Sequence, residues 1–228
     1  MEWITSESVV TAERAAAEFI ARRLMQAVRE RGHATLAISG GRTPWGMFEK
    51  LAAEEVTWSA VQLLQVDERI VPLDHAARNW RQFLASALAS RVPQRHQHAM
   101  PVEIGDPDVA AAQYERTLSE CSGEPPTLDV VHLGIGADGH TASLFADDSP
   151  LQETRRMVAV SRSYDRHRRL TLTLPVLNRA RTVVWFAVGA ARRAVLTRLL
   201  QGDPEIPASH VRRDRAICFA DREAAPVA

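Results

Sequence analysis

Between Ser8 and Arg31 apolar side chains return every three or four positions, at Val9, Ala12, Ala16, Phe19, Ile20, Leu24 and Val28. That period places them on one face of a helix, and Gly32 supplies its stop. A different pattern follows. "ATLAIS" (34–39), "VQLLQV" (61–66), "TLDVVHLGI" (127–135), "MVAVS" (157–161), "RLTLTL" (169–174), "TVVWFAV" (182–188) and "AICFA" (216–220) are short apolar runs, and each reads as a strand. The run at 127–135 has the continuous apolar character of a central parallel strand. Helical patterns lie between the runs, at 40–55, 77–90, 107–120 and 189–202. Thr43 is placed to cap the first of these with Pro44 as its first helical residue, and Gly202 ends the last. The proline- and glycine-bearing stretch 91–108 reads as loop. Strands alternating with helices predict an α/β fold with a parallel or mixed sheet covered on both faces. No repeat, low-complexity tract or linker interrupts it, so residues 1–228 read as one domain.

Composition adds constraints. Apolar residues make up 46% of the chain, enough for a sizeable core. Lysine plus arginine and aspartate plus glutamate both number 28, so no global field draws in nucleic acid or anionic membrane. The two cysteines, Cys121 and Cys218, form no CxxC pair and read as small apolar side chains in a reducing, cytoplasmic setting. The opening "MEWITSESVVTAERAAAEF" lacks the basic start and apolar core of a signal peptide. No apolar run reaches the ~20 residues that span a bilayer. The pair of histidines in "HQH" (96–98) has ligand-like spacing but no third ligand nearby, and reads as solvated loop.

Chemistry concentrates where strands end. In "VVHLGIGADGHTASLF" (130–145) the glycines Gly134, Gly136 and Gly139 fit GxGxxG, a weak signal alone. Asp138 inside the turn would face a pyrophosphate with like charge, and no acidic strand end follows about 20 residues on. The turn instead suits a histidine, His140, set just past a strand's carboxyl end, where open α/β sheets bind ligands. An imidazole there can take a proton near neutral pH, with Asp138 or another carboxylate to orient it. "SGGRTP" (39–44) is a second such turn. Gly40 and Gly41 let an anion approach the backbone N–H groups, while Ser39 and Thr43 add hydroxyls. "DER" (67–69) is the third. Three charged residues in a row are expected outside the core, with Arg69 gripping an anion and Asp67 meeting polar substrate groups. The candidate catalytic residues are thus His140, Asp67 and Asp138. A cleft offering a base, acceptors and an anion site points to a phosphorylated sugar.

Taken together, "SGGRTP", "VDERIVP", "LGIGADGHTASLF", "RLTLTLPVLNRA" and "IPAS" stand in the order found in the 6-phosphogluconolactonase family, which the chain resembles from about residue 8 to Asp221. The resemblance implies a three-layer α/β/α fold with a mostly parallel, Rossmann-like sheet. It implies hydrolysis of 6-phospho-D-glucono-1,5-lactone in the pentose phosphate pathway, with no metal or organic cofactor. It further implies His140 as general base, Gly40, Gly41, Thr43 and Arg69 around phosphate and sugar, and Arg169 before the "TLT" strand. Arg192 stands where relatives usually carry lysine. Two departures stand out: Arg78-Asn79 where relatives often have Ser-Asn, and "SYDRHRR" (163–169) in place of a proline-rich approach to the strand. The expected partner is the sugar phosphate alone, neither nucleic acid nor membrane, with the protein a monomer. The related glucosamine-6-phosphate deaminases typically read "DEY" and "DGHIAFNEP". Arg69 and Phe145 here replace the tyrosine and the ring-opening glutamate, which weighs against deamination. A sugar-phosphate sensor is the third possibility, disfavoured because residues 1–31 offer one helix and no DNA-binding helix pair.

Overall fold

The computed structural model describes residues 1–226. In chain order the elements are β1 (Glu2–Ser6), α1 (Val9–Arg31), β2 (Ala34–Ile38), α2 (Trp45–Ala53), β3 (Val61–Gln65), β4 (Asp67–Arg69), α3 (Asn79–Leu84), α4 (Ala87–Arg91), β5 (Gln97–His98), α5 (Pro107–Ser122), β6 (Val130–Leu133), β7 (Val158–Tyr164), β8 (His167–Leu172), α6 (Leu174–Leu177), β9 (Thr182–Ala187), α7 (Arg193–Gln201) and β10 (Ala216–Asp221). Seven strands form one sheet in the order β1-β10-β9-β6-β2-β3-β5. Every neighbouring pair in it is parallel. The expected mostly parallel sheet is therefore found, and helices cover both its faces.

Strand periodicity explains how both faces are buried. Leu36, Ile38, Val184, Phe186, Ile217 and Phe219 point to one side, where they pack with Ala16, Ile20, Leu24 and Phe48 of α1 and α2. Ala37, Val183, Trp185 and Cys218 point to the other, against Tyr114 and Leu118 of α5 and Leu196 and Leu199 of α7. Successive residues face opposite layers, so strands buried on both sides read as unbroken apolar runs. The helix over 8–31 is present as α1. Ser8 caps it by accepting from the Thr11 N–H, and Gly32 closes it in the left-handed conformation (φ 79°). Gly202 closes α7 the same way (φ 70°).

Several expectations are corrected. The runs at 157–161 and 169–174 do not join the main sheet: β7 and β8 form an antiparallel hairpin that adds β4 to make a separate three-stranded sheet. Residues 2–6 form an edge strand on β10 that the sequence reading did not identify. The helix at 77–90 is two short ones, because Ser86 turns extended (ψ 156°) and its hydroxyl donates to the Phe83 carbonyl. Within the loop at 91–108, Gln97 and His98 pair with β3. His98 meets the Gln62 amide oxygen at 2.7 Å instead of facing solvent. Thr43 does not cap α2: Pro44 holds the cap position and no side chain bonds the exposed N–H groups. The helical segment at 189–202 begins as a 3-10 turn over Ala190–Arg192 before α7. Cys218 is buried and Cys121 half-buried, its thiol pushed up to about 11 by burial first and then by Glu120.

The largest correction concerns "DER". Asp67 and Glu68 are 6% and 0% exposed. Glu68 stays inside because both of its oxygens are met. Oε1 accepts from the N–H groups of Arg69 (2.8 Å) and Asn79 (2.9 Å). Oε2 accepts from Gln65 Nε2 (2.8 Å) and the Trp80 N–H (2.7 Å). Arg78, 1% exposed, places its Nε 3.2 Å from Oε2. Burial pushes the carboxyl up, against the downward pull of Gln65, the Asn79 and Trp80 N–H groups and Arg78. Glu68→Gln is expected to lower unfolding free energy by about 3–5 kcal/mol, the usual cost of removing one member of a buried ion pair. Urea denaturation checks this, and a change below about 1 kcal/mol would contradict the account.

Candidate active site

The loops after β2 and β6 leave adjacent strands. The chain proceeds from β2 outward to β3 and from β6 to β9 on the other side, so the crevice between them is the switch point of the sheet. A cavity of about 580 Å³ opens there. Its lining includes Ser39, Gly40, Gly41, Thr43, Asp67, Arg69, His140, Arg169 and Arg192. The three turns singled out in the sequence do follow neighbouring strands, and nine of the ten candidate residues share one cavity. The tenth, Asp138, stands directly behind His140.

The turn after β6 is shaped by its glycines. Gly136 N–H donates to the His140 carbonyl (2.8 Å) and Gly139 N–H to the Gly136 carbonyl (3.0 Å). Gly139 has φ 87°, and a side chain there would also collide with Ile206. At Gly136 the constraint is space alone: an added Cβ would sit 2.2 Å from His140 Nδ1 and 2.5 Å from Asp138 Oδ1. These two atoms are 2.6 Å apart. A carboxylate only accepts, so Nδ1 carries a proton; in the neutral imidazole Nε2 is then the acceptor. Asp138 Oδ1 also takes the His140 N–H (3.2 Å), and Oδ2 takes the Tyr164 hydroxyl (3.0 Å). Burial works to raise the Asp138 carboxyl, yet the His140 charge, the bonds from His140 and the Tyr164 hydroxyl outweigh it and hold it below the usual range. The Tyr164 phenol is raised, by burial first and then by Asp138.

A second part of the lining is cationic. Arg69 and Arg169 are directly paired across the antiparallel β4 and β8, an arrangement in which like charges repel. Arg69 Nη1 donates to the Ala77 carbonyl (2.8 Å) and to Asn79 Oδ1 (2.9 Å), while its buried Nε has no partner. Arg169 is 5% exposed and its Nε is also unpartnered. Its guanidinium lies 5.6 Å from the centre of the Phe145 ring and 5.4 Å from that of Tyr164, within cation–π range. Burial lowers its pKa, Asp67 raises it and Arg69 lowers it further. Neither arginine is ion-paired to a carboxylate among the described residues. Asp67 makes no hydrogen bond to His140; its Oδ2 accepts from the Ser143 hydroxyl at 2.6 Å.

The loop after β2 is held from both ends. Trp45 Nε1 donates to the Gly41 carbonyl (2.6 Å). The Ser39 hydroxyl lines the cavity and donates to the His132 carbonyl (3.1 Å). Gly40 has no room for a side chain, because a Cβ would lie 2.2 Å from Asn79 Cγ. Gly41 has φ 105°. His132, Asn79, Tyr164 and His167 also line the cavity and were not identified from the sequence. His132 lies inside an apolar strand, with no local mark of function. Burial pushes its pKa down to about 3, so it is neutral. Among the described residues no cluster of three or more His, Cys, Asp or Glu is placed to hold a metal ion, and no helix is long and apolar enough to cross a membrane.

The family described as glucosamine-6-phosphate isomerases/6-phosphogluconolactonase matches residues 7–219. A 6-phosphogluconolactonase of Synechocystis is 36% identical over 193 residues, covering 82% of this chain and 80% of that protein. One from Nostoc is 37% identical over 188 residues, with 80% and 78% covered. The crystal structure of 6-phosphogluconolactonase from Thermotoga maritima superposes with a TM-score of 0.86 at 28% identity, covering 97% of this chain and 99% of that one.

Gly136→Ala is expected to separate the His140 imidazole from the Asp138 carboxylate, since the new methyl occupies the space where they meet. A crystal structure of the variant checks this. Nδ1 and Oδ1 still within 3 Å, the reach of a hydrogen bond, would refute it.

Proposed function

The chain belongs to the family of glucosamine-6-phosphate isomerases and 6-phosphogluconolactonases, and from that premise we propose that it hydrolyses 6-phospho-D-glucono-1,5-lactone to 6-phosphogluconate by histidine-activated water. One observation carries the choice: two arginines without carboxylate partners share a cavity with a histidine whose Nδ1 is engaged by Asp138. An anion relieves the repulsion between Arg69 and Arg169, and a phosphate matches their forks. The reacting carbon is then held near His140 by the length of the sugar, which lowers the entropic part of the barrier.

In this reading water donates a proton to His140 Nε2 as its oxygen attacks the lactone carbonyl, C1. The Asp138 carboxylate stabilises the imidazolium that results. Negative charge gathering on the carbonyl oxygen is met by cavity arginines or by turn N–H groups. When the tetrahedral intermediate collapses, the C1–ring-oxygen bond breaks and His140 returns the proton to the departing oxygen. No step passes through a metal. Asp67, fixed by Ser143, is assigned to substrate hydroxyls and to balancing Arg169 rather than to the proton transfer. Gly40, Gly41 and Thr43 border the phosphate end, and Arg192 supplies a further positive charge.

Deamination of glucosamine 6-phosphate is the family's other activity. Phe145, 2% exposed and packed 5.1 Å from the His140 ring, gives that reaction no carboxylate at that position. The decisive assay supplies freshly made lactone and subtracts its spontaneous hydrolysis. Turnover is expected with the lactone and no ammonia from glucosamine 6-phosphate; the reverse pattern would replace the proposal. His140→Ala is expected to reduce kcat by about 10²-fold or more, and near-normal kcat would remove it as the base. Arg69→Ala is expected mainly to raise KM, and an unchanged KM would take Arg69 out of the binding site.

A further inference from the structure

The reading of His140 as the base leaves open what holds its carboxylate partner. Asp138 is 46% exposed at its side chain, and His140 22%. A carboxylate so open to water can rotate away from the imidazole unless its second oxygen is fixed. That oxygen is occupied by Tyr164, which comes from a distant part of the chain. Tyr164 is the last residue of β7, beside a hairpin turn in which Asp165 (φ 50°) and Arg166 (φ 68°) are both left-handed. The turn lies in the segment "SYDRHRR", where the chain departs from the family it resembles. Its backbone brings the phenol back over the cavity. The ring stacks on Phe145 at 4.2 Å and 15°, and lies 5.3 Å from the His140 ring. Phe145 is itself buried, five residues after His140, so the stack fixes the ring. The same ring presents its face to the Arg169 guanidinium at 5.4 Å.

We propose that Tyr164 is a positioning residue with two separable tasks: its hydroxyl holds Asp138 against His140 Nδ1, and its ring, stacked on Phe145, seats Arg169. The inference rests on the proposed lactonase reading for its kinetic part only. The hydroxyl donates to Oδ2 while Nδ1 and the His140 N–H donate to Oδ1, so the carboxylate is held at both oxygens and the base keeps the tautomer with Nε2 free. The ring holds a guanidinium without neutralising it, which a carboxylate would do. Base and cation are thereby set in place by one side chain.

Two variants separate the tasks. Tyr164→Phe keeps the ring and removes the hydroxyl. It is expected to lower kcat about 3- to 10-fold, the worth of one net hydrogen bond, with KM unchanged and melting temperature close to that of the parent. Tyr164→Leu removes the ring as well and is expected to raise KM in addition. Nitrogen-15 NMR of histidine-labelled protein, with His140→Gln used to assign the signal, gives a readout independent of turnover. The parent is expected in the Nδ1–H tautomer and Tyr164→Phe in a mixture. An unchanged kcat and tautomer in Tyr164→Phe would overturn the first task, as would a rise in KM alone, which would mean that the hydroxyl meets substrate. An unchanged KM in Tyr164→Leu would overturn the second. If the parent failed to hydrolyse the lactone while Tyr164→Phe still altered the tautomer, the functional reading would fall and the positioning role would stand.

Discussion

Glu68 keeps a carboxylate out of water with donors on both oxygens, and the rim of the cavity is organised around it. Its bonds to the Asn79 and Trp80 N–H groups satisfy the start of α3, a helix too short to persist alone. Its bond to the Arg69 N–H and its ion pair with Arg78 draw the segment between β4 and α3 back onto the sheet edge. Asn79 is thereby delivered to both Arg69 and the space above Gly40. The cationic wall and the loop after β2 consequently take their relative position from one buried anion that lies outside the cavity lining.

The charges inside the cavity follow a complementary rule. Arg69 is held by a carbonyl and an amide oxygen, and Arg169 by aromatic faces. These partners orient a guanidinium and leave its charge unspent, whereas Arg78 is discharged against Glu68 and Glu103. Two kinds of arginine thus serve this part of the molecule. One kind braces the fold; the other stays available to an anion.

Much of this was legible in the sequence, for identifiable reasons. Central parallel strands such as β2 and β9 are buried on both faces and read as continuous apolar runs, and α1 carries a sustained helical period with its stop at Gly32. The turn at 134–140 announced itself because its glycines cluster directly after an apolar run, at the carboxyl end of a strand, where open α/β sheets bind ligands. What failed to show depends on partners distant in the chain. Nothing local in "EWITS" says that it pairs with β10, or in "LTLTL" that it leaves the main sheet for β4. Asp67 and Glu68 read as surface because most of their compensating donors, Ser143, Asn79, Trp80 and Arg78, lie 10 to 76 positions away. Tyr164 was hidden for the same reason: its relation to Asp138 crosses 26 residues.

The missing side chain at Gly40 has a consequence for anyone diversifying this protein. The volume a methyl would need there is filled by Asn79, so the two positions share one allotment of space. Their substitutions are therefore coupled, as contacting residues generally are. A library that varies position 40 alone would score it as intolerant, while one that varies 40 and 79 jointly, with a smaller residue at 79, would recover members that the single-site screen discards.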